Sequence, residues 1–309
     1  MNLPELHTWR YYFLDLPIFS CGFRSESLKK RLYRMFEPEK EFMKKGYLTL
    51  CKYTGGTASE QETESFLERT FWVKVIRESD AYTSLRMSGK KIDRYFRVEG
   101  IENLKSVIGD KRPAIILTGH FGSFFIPAIA FTHLGYDVYP IARTVDTSPA
   151  TPLPTQYYLK LNYWLSEMRF SSRYIYTNFS GKIDREVVSI GRRGGIFWAA
   201  IDLPRRLYHY KRLPVTFFGR QSSLPGGIIP WGIKRGAVFL TAWNSIEGID
   251  SGNFYRLLTI DGMIPEGLDT GEILQIYSDR LAERVSMQPW EWLPIQVIDQ
   301  FDESEGRNG

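Results

Sequence analysis

Cysteine is nearly missing from this chain of 309 residues: there are two, Cys21 and Cys51, and they stand in no Cys-x-x-Cys spacing. That excludes a disulfide framework and a zinc knuckle, and it suits a reducing, cytoplasmic-side setting. Histidine is also scarce, four in all, and none has a metal-spaced companion, so no metal centre is expected. Long hydrophobic runs are absent. The longest uncharged stretch, 114–136, is broken by Thr118, Gly119, His120, Gly122 and Ser123, leaving pieces too short to cross a bilayer. The opening residues, MNLPELHTWRYYFLDLPIF, carry an acid early and lack a basic segment ahead of an apolar one, so no signal peptide is predicted. Neither a P-loop nor a Gly-x-Gly-x-x-Gly pattern occurs, which leaves nucleotide chemistry without support.

What the chain does have is an ordinary globular balance, 43% apolar and 24% charged, with a rich 15% of aromatics. Such rings suit cores, membrane interfaces and ligand grooves. The net charge of +5 is unevenly spread. Residues 180–235 hold eleven Lys/Arg against three Asp/Glu, whereas 245–309 hold four against thirteen. The paired bases Arg192–Arg193, Arg205–Arg206, Lys211–Arg212 and Lys234–Arg235 either meet an anionic partner or form a solvated surface. Nucleic acid is not the expected partner, because no recognisable module accompanies the bases and the C-terminal part is acidic.

Apolar residues three and four apart predict helices in 1–95, one of them opened by a capping box at Ser59 and Glu62. From Tyr95 onward, apolar strands such as PAIILTG, DVYPIA, GIFWAAID and AVFLTAW alternate with helical stretches. This predicts an α/β fold: a central, mostly parallel sheet flanked by helices, with an N-terminal helical region. The parts are 1–95, helical and packed on the core; 96–300, the α/β domain; and 301–309, a polar tail.

In AIILTGHFGSFFIPAIAF, His120 ends a strand and precedes a helix, at the sheet edge where open α/β folds build their sites. Gly119 and Gly122 let the backbone turn and leave room beside the imidazole. A neutral histidine there can take a proton from an attacking hydroxyl, and a histidine that only satisfies a turn fits the same pattern.

The segment resembles the His-x4-acid motif of the lysophospholipid acyltransferase superfamily. In detail it is similar to the lipid A biosynthesis acyltransferases for lauroyl and myristoyl chains, where Gly-His-Phe-Gly-Asn-Trp-Glu is typical. Further stretches match in order: RYFRVEGIENLKSVIGDKRPAIILTGH before the motif, then HLGYDVYPIARTVD, GIFWAAID, RLPVTFFGRQSSLPGGIIPWGIKRGAVFLTAW and MQPWEWLPIQV. The resemblance spans residues 95–297. It implies transfer of a fatty acyl chain from acyl carrier protein or coenzyme A to a hydroxyl of a membrane lipid or glycolipid. It implies no cofactor beyond the acyl donor, and a peripheral place on the cytoplasmic face of a bacterial inner membrane. His120 would be the general base, and Gly119, Gly122, Ser123, Phe125, Arg143, Arg205, Gly219 and Arg220 would line the substrate site.

The chain departs from that pattern where it matters most. Phe125 occupies the position of the motif acid, and Ser123 that of the usual Asn. Losing the orienting acid of a histidine base costs about 10⁴ in rate in a comparable triad. Asp202 is the foremost replacement, with Glu167 a more distant one; alternatively Asp202 forms a salt bridge with Arg205 or Arg206. His120 could also act alone on an easier acceptor, or the chain could be a non-catalytic relative that binds acyl chains or lipids or supports a partner enzyme. A carboxylate within hydrogen-bond reach of His120 favours the enzyme; Phe125 packed over a closed pocket favours the binder. The N-terminal membrane helix of many family members is missing, and LHTWRYYFLDLPIF reads either as an interfacial segment or as a strip of core aromatics.

Overall fold

Four helices come first: α1 (Leu3–Arg10), α2 (Leu16–Ser20), α3 (Glu26–Tyr53) and α4 (Glu60–Ser84). Strands and helices then alternate through β1 (Phe96–Glu99), α5 (Ile101–Ile108), β2 (Ala114–Thr118), α6 (Ile126–His133), β3 (Val138–Arg143) and α7 (Leu153–Arg169). The alternation continues with β4 (Ile175–Thr177), α8 (Arg185–Arg192) and β5 (Ile196–Ala200). A hairpin, β6 (Arg212–Phe217) and β7 (Arg220–Pro225), precedes α9 (Ile228–Lys234), β8 (Val238–Glu247), β9 (Tyr255–Ile260) and α10 (Thr270–Met287). This computed structural model describes residues 3–87, 89–108, 112–123, 126–143, 151–169, 174–177, 185–205, 208, 211–249, 251 and 253–303.

Seven strands form one sheet in the order β1-β9-β8-β2-β5-β3-β4. Strands β8, β2, β5, β3 and β4 run parallel, β9 turns back antiparallel on β8, and β1 runs with β9. The fold is α/β, with a mostly parallel sheet flanked by helices and a helical N-terminal region. Every residue of β2 is buried, as its continuous apolar run requires of a strand covered on both faces. Two strands escape a reading by pattern. β7 is the polar stretch RQSSLP, held by pairing with β6, and β4 has only three residues.

The N-terminal helices show why their apolar spacing was needed. Leu28, Leu32, Phe36, Met43 and Leu50 of α3 are buried, and the Ser25 hydroxyl caps the helix by accepting from the Leu28 N–H. Ser59 and Glu62 close the predicted capping box on α4. Unlike a surface helix, α4 is covered on several sides, so its buried polar residues need internal partners. Lys74 lies 2.9 Å from both Glu39 and Glu78, and Asp80 pairs with Arg256 of β9, both fully buried.

Part of the aromatic N-terminal stretch belongs to the core. A π-turn over Tyr11–Asp15 helps turn Tyr11, Tyr12, Leu16 and Phe19 into the core, where Tyr11 donates to Glu78 at 2.5 Å. Leu6, Phe13 and Leu14 stay exposed.

α3 docks on the 3-10 segment 293–301 at Gly46, where an added Cβ would lie 2.1 Å from the Ile295 carbonyl oxygen. Backbone cannot swing aside as a side chain would. Gly46→Ala is therefore expected to lose about 1–3 kcal/mol of stability, read as a lower urea midpoint. An unchanged midpoint would mean that this close approach does not hold.

Candidate active site

The register of β2 with β5 sets the site. Thr118 pairs with Ala200, and two residues beyond each partner stand His120 and Asp202, side by side at the C-terminal edge of the sheet. The Ile201 N–H donates to the Thr118 carbonyl at 3.1 Å, carrying the pairing one step further. Tyr277 of α10 holds the same carbonyl, its hydroxyl donating at 2.7 Å.

Asp202 is fully buried, and three N–H groups converge on it. Its Oδ1 lies 2.5 Å from His120 Nδ1; its Oδ2 accepts the His120 backbone N–H at 2.7 Å and Trp292 Nε1–H at 2.8 Å. With Nδ1–H directed at the carboxylate, neutral His120 presents Nε2 as an acceptor. The imidazole side chain keeps 25% of its surface open. Burial draws the His120 pKa down, but the Asp202 charge and hydrogen bond outweigh it together with the opposing field of Arg77, and the value is raised above 6.5.

The turn carrying His120 is clamped from the C-terminal side. Phe121 bridges Trp292, the Gly122 N–H donates to the Glu291 carbonyl at 3.0 Å, and the Leu293 N–H donates to the His120 carbonyl at 2.9 Å. Gly119 is required by space, since a Cβ would come within 2.8 Å of Asp202 Oδ2. Gly122 is required by conformation, with φ +45°, and by the Glu291 side chain behind it. Glu291 is buried, its Oε1 accepts the Ile246 N–H at 2.9 Å, and burial pushes its pKa up to about 8.

The structure gathers some of the sequence-predicted residues and leaves others elsewhere. Gly119, His120 and Gly122 share one turn with Asp202 beside it, and Ser123 is buried behind it beside Asp80. Phe125 and Arg206 lie outside the described residues, and Arg143 ends β3 at the same sheet edge. Asp202 is engaged by His120 and Trp292, while Arg205 is exposed three residues on. Glu167 is also exposed and accepts from Tyr176. Gly219 forms the exposed tip of the β6–β7 hairpin with φ +71°. Arg220 bonds Asp302 at 2.6 Å and covers the Tyr53 ring. Arg212 turns inward onto the Leu203, Tyr208 and Ser223 carbonyls, with burial lowering its pKa to about 10. Arg192, Arg193, Lys234 and Arg235 are exposed where α8 and α9 lead into β5 and β8, at the edge of the sheet opposite His120.

Trp292, Glu291, Tyr277 and Arg77 take part in this site without having been singled out in the sequence. One signal was present: Glu291 is an acid set between two tryptophans in PWEWLP.

Asp202→Asn removes the charge that raises His120. The His120 pKa, followed by NMR titration, is expected to fall in this variant; an unchanged value would disconnect the two groups. Glu291 yields a second test. Its folded pKa lies above the ordinary 4.5, so the folded state holds a proton that the unfolded chain releases. Wild type should then lose stability relative to Glu291→Gln as pH rises from 4.5 to about 8. Parallel unfolding curves across that window would contradict it.

No protein-family model matches this chain, and no curated protein matches it.

Proposed function

We propose that the chain is an O-acyltransferase that moves a fatty acyl chain from acyl carrier protein or acyl-coenzyme A to a hydroxyl of a membrane lipid or glycolipid. The observation that carries this reading is the contact between His120 Nδ1 and the buried Asp202 carboxylate, which supplies an orienting acid where Phe125 has none. The acceptor hydroxyl donates to His120 Nε2. As its oxygen attacks the thioester carbonyl carbon, the proton passes to Nε2 and Asp202 steadies the imidazolium. Collapse of the tetrahedral adduct breaks the carbon–sulfur bond, and the imidazolium returns its proton to the leaving thiolate.

A peripheral place on the cytoplasmic face of a bacterial membrane fits the surface. No helix among the described residues is long and apolar enough to cross a membrane. Leu153, Tyr157, Trp164 and Met168 are exposed at helical spacing along α7. They adjoin exposed Leu6 and Phe13, with the Trp9 ring 5.1 Å from Phe13 and 5.6 Å from Tyr157. Such a face suits the headgroup boundary of a bilayer.

A second reading, a lipid- or acyl-binding homologue without activity, has the missing motif acid at Phe125 in its favour. Single-turnover transfer from labelled acyl donors to a panel of membrane lipids separates the two. Wild type should transfer, His120→Ala should not, and Asp202→Asn should be slower by about 10⁴. Full activity in His120→Ala would overturn the mechanism, and an inert wild type would favour the binder.

A further inference from the structure

Two adjoining cavities lie beside α4, and the second is the more basic. One, of about 400 Å³, lies between α3, α4 and the β8–β9 connection; Leu28, Leu32, Trp72 and Ile76 form its apolar wall, and Glu26 and Lys29 also line it. The volume falls within the range of small-molecule sites. The other, of about 230 Å³, is walled by Arg24, Arg86, Arg94 and Arg256, and among the described residues no carboxylate lines it. Phe19, Arg24 and Phe254 belong to both, so the apolar wall of the first cavity runs into the basic recess.

The junction is ordered by stacking. The Phe19 and Phe254 rings are 6.2 Å apart and nearly parallel, and the Arg24 guanidinium lies over them at 4.9 and 4.4 Å from their centres. Arg256 is anchored from behind by Asp80, yet its Nε–H is buried without a hydrogen-bond partner. Burial and the neighbouring Arg256 charge both lower the Arg24 pKa, the mark of like charges held close together. Arg86 donates to the Ser20 carbonyl at 2.6 Å, which fixes its fork beside the recess. An anion with several acceptor oxygens would relieve this repulsion and satisfy the orphan donor, and guanidinium forks match phosphate in geometry.

We infer that this composite groove binds a phosphate-bearing amphiphile, its phosphate among Arg24, Arg86, Arg94 and Arg256 and its hydrocarbon chain along α3 and α4 beside Trp72. The recess opens on the same sheet edge as His120. β9 is two strands from β2, about 10 Å at ordinary strand spacing. Asp80 joins the two places, pairing with Arg256 on one side and lying beside Ser123 of the catalytic turn on the other. A lipid bound here would sit beside the reacting centre. The inference rests on the lipid reading above for its role in the reaction, but binding is measured without catalysis.

The probe is short-chain phosphatidic acid with brominated acyl chains, titrated into wild type, Trp72→Phe and the double variant Arg86→Gln/Arg94→Gln. Both arginines are exposed, so the fold should survive their loss. Bromine should quench tryptophan emission in wild type, and most of that quenching should vanish in Trp72→Phe. The double variant should bind about 10- to 100-fold more weakly for each guanidinium removed, and added salt should weaken wild-type binding. Diacylglycerol of the same chains and inorganic phosphate should each bind far less tightly. Equal affinity for diacylglycerol, equal affinity for inorganic phosphate, unaltered binding by the double variant, or quenching that persists in Trp72→Phe would each overturn the inference. Acyl transfer by a wild type that fails to bind the probe would leave the enzyme reading standing and remove this site. Binding by a wild type inert in transfer would do the reverse.

Discussion

Parallel pairing between β2 and β5 is the constraint on which the site depends. The two strands stay in register to their ends, and a glycine follows one where an isoleucine follows the other, so His120 and Asp202 arrive together. The buried carboxylate then needs partners, because an unpaired charge away from water is costly. It finds them in the His120 backbone, the His120 ring and the Trp292 indole. Two segments distant in sequence are thereby tied to one side chain. The imidazole is held at Nδ1.

Much of this was legible in the sequence, and the limits are instructive. Alternating apolar strands and helices gave the α/β class, because a sheet covered on both faces has to be written in continuous apolar runs. The turn at His120 could be read from a strand followed by closely spaced glycines. Asp202 could be nominated because GIFWAAID resembles a family strand that ends in an aspartate. That these strands are neighbours was expected from the resemblance alone and is borne out by the pairing of β2 with β5, since parallel partners are set by tertiary packing and not by local pattern. Trp292 and Glu291 were hidden for the same reason: they come from the far end of the chain and meet the turn only after the C-terminal segment folds over it.

The N-terminal helices are more than a cover for the sheet. α4 is buried on enough sides that its charges act inside the protein, and they reach toward the site: Arg77 opposes protonation of His120, and Asp80 anchors Arg256 beside Ser123. A reading by helical periodicity treats such residues as a solvated face. The basic pairs show the converse. Arg192, Arg193, Lys234 and Arg235 are prominent in sequence yet stand at the edge of the sheet opposite His120, whereas the arginines beside the apolar groove are scattered through the chain and form no run.

The proposed role of His120 depends on which ring nitrogen carries the proton in the neutral form. Nitrogen-15 NMR of the neutral imidazole, assigned with a His120→Gln control, reports this directly. The geometry predicts a proton on Nδ1, shifted far downfield by Asp202, and a bare Nε2 ready to accept from a hydroxyl. A neutral ring protonated on Nε2, with Nδ1 bare, would contradict it and leave His120 a structural residue of the turn.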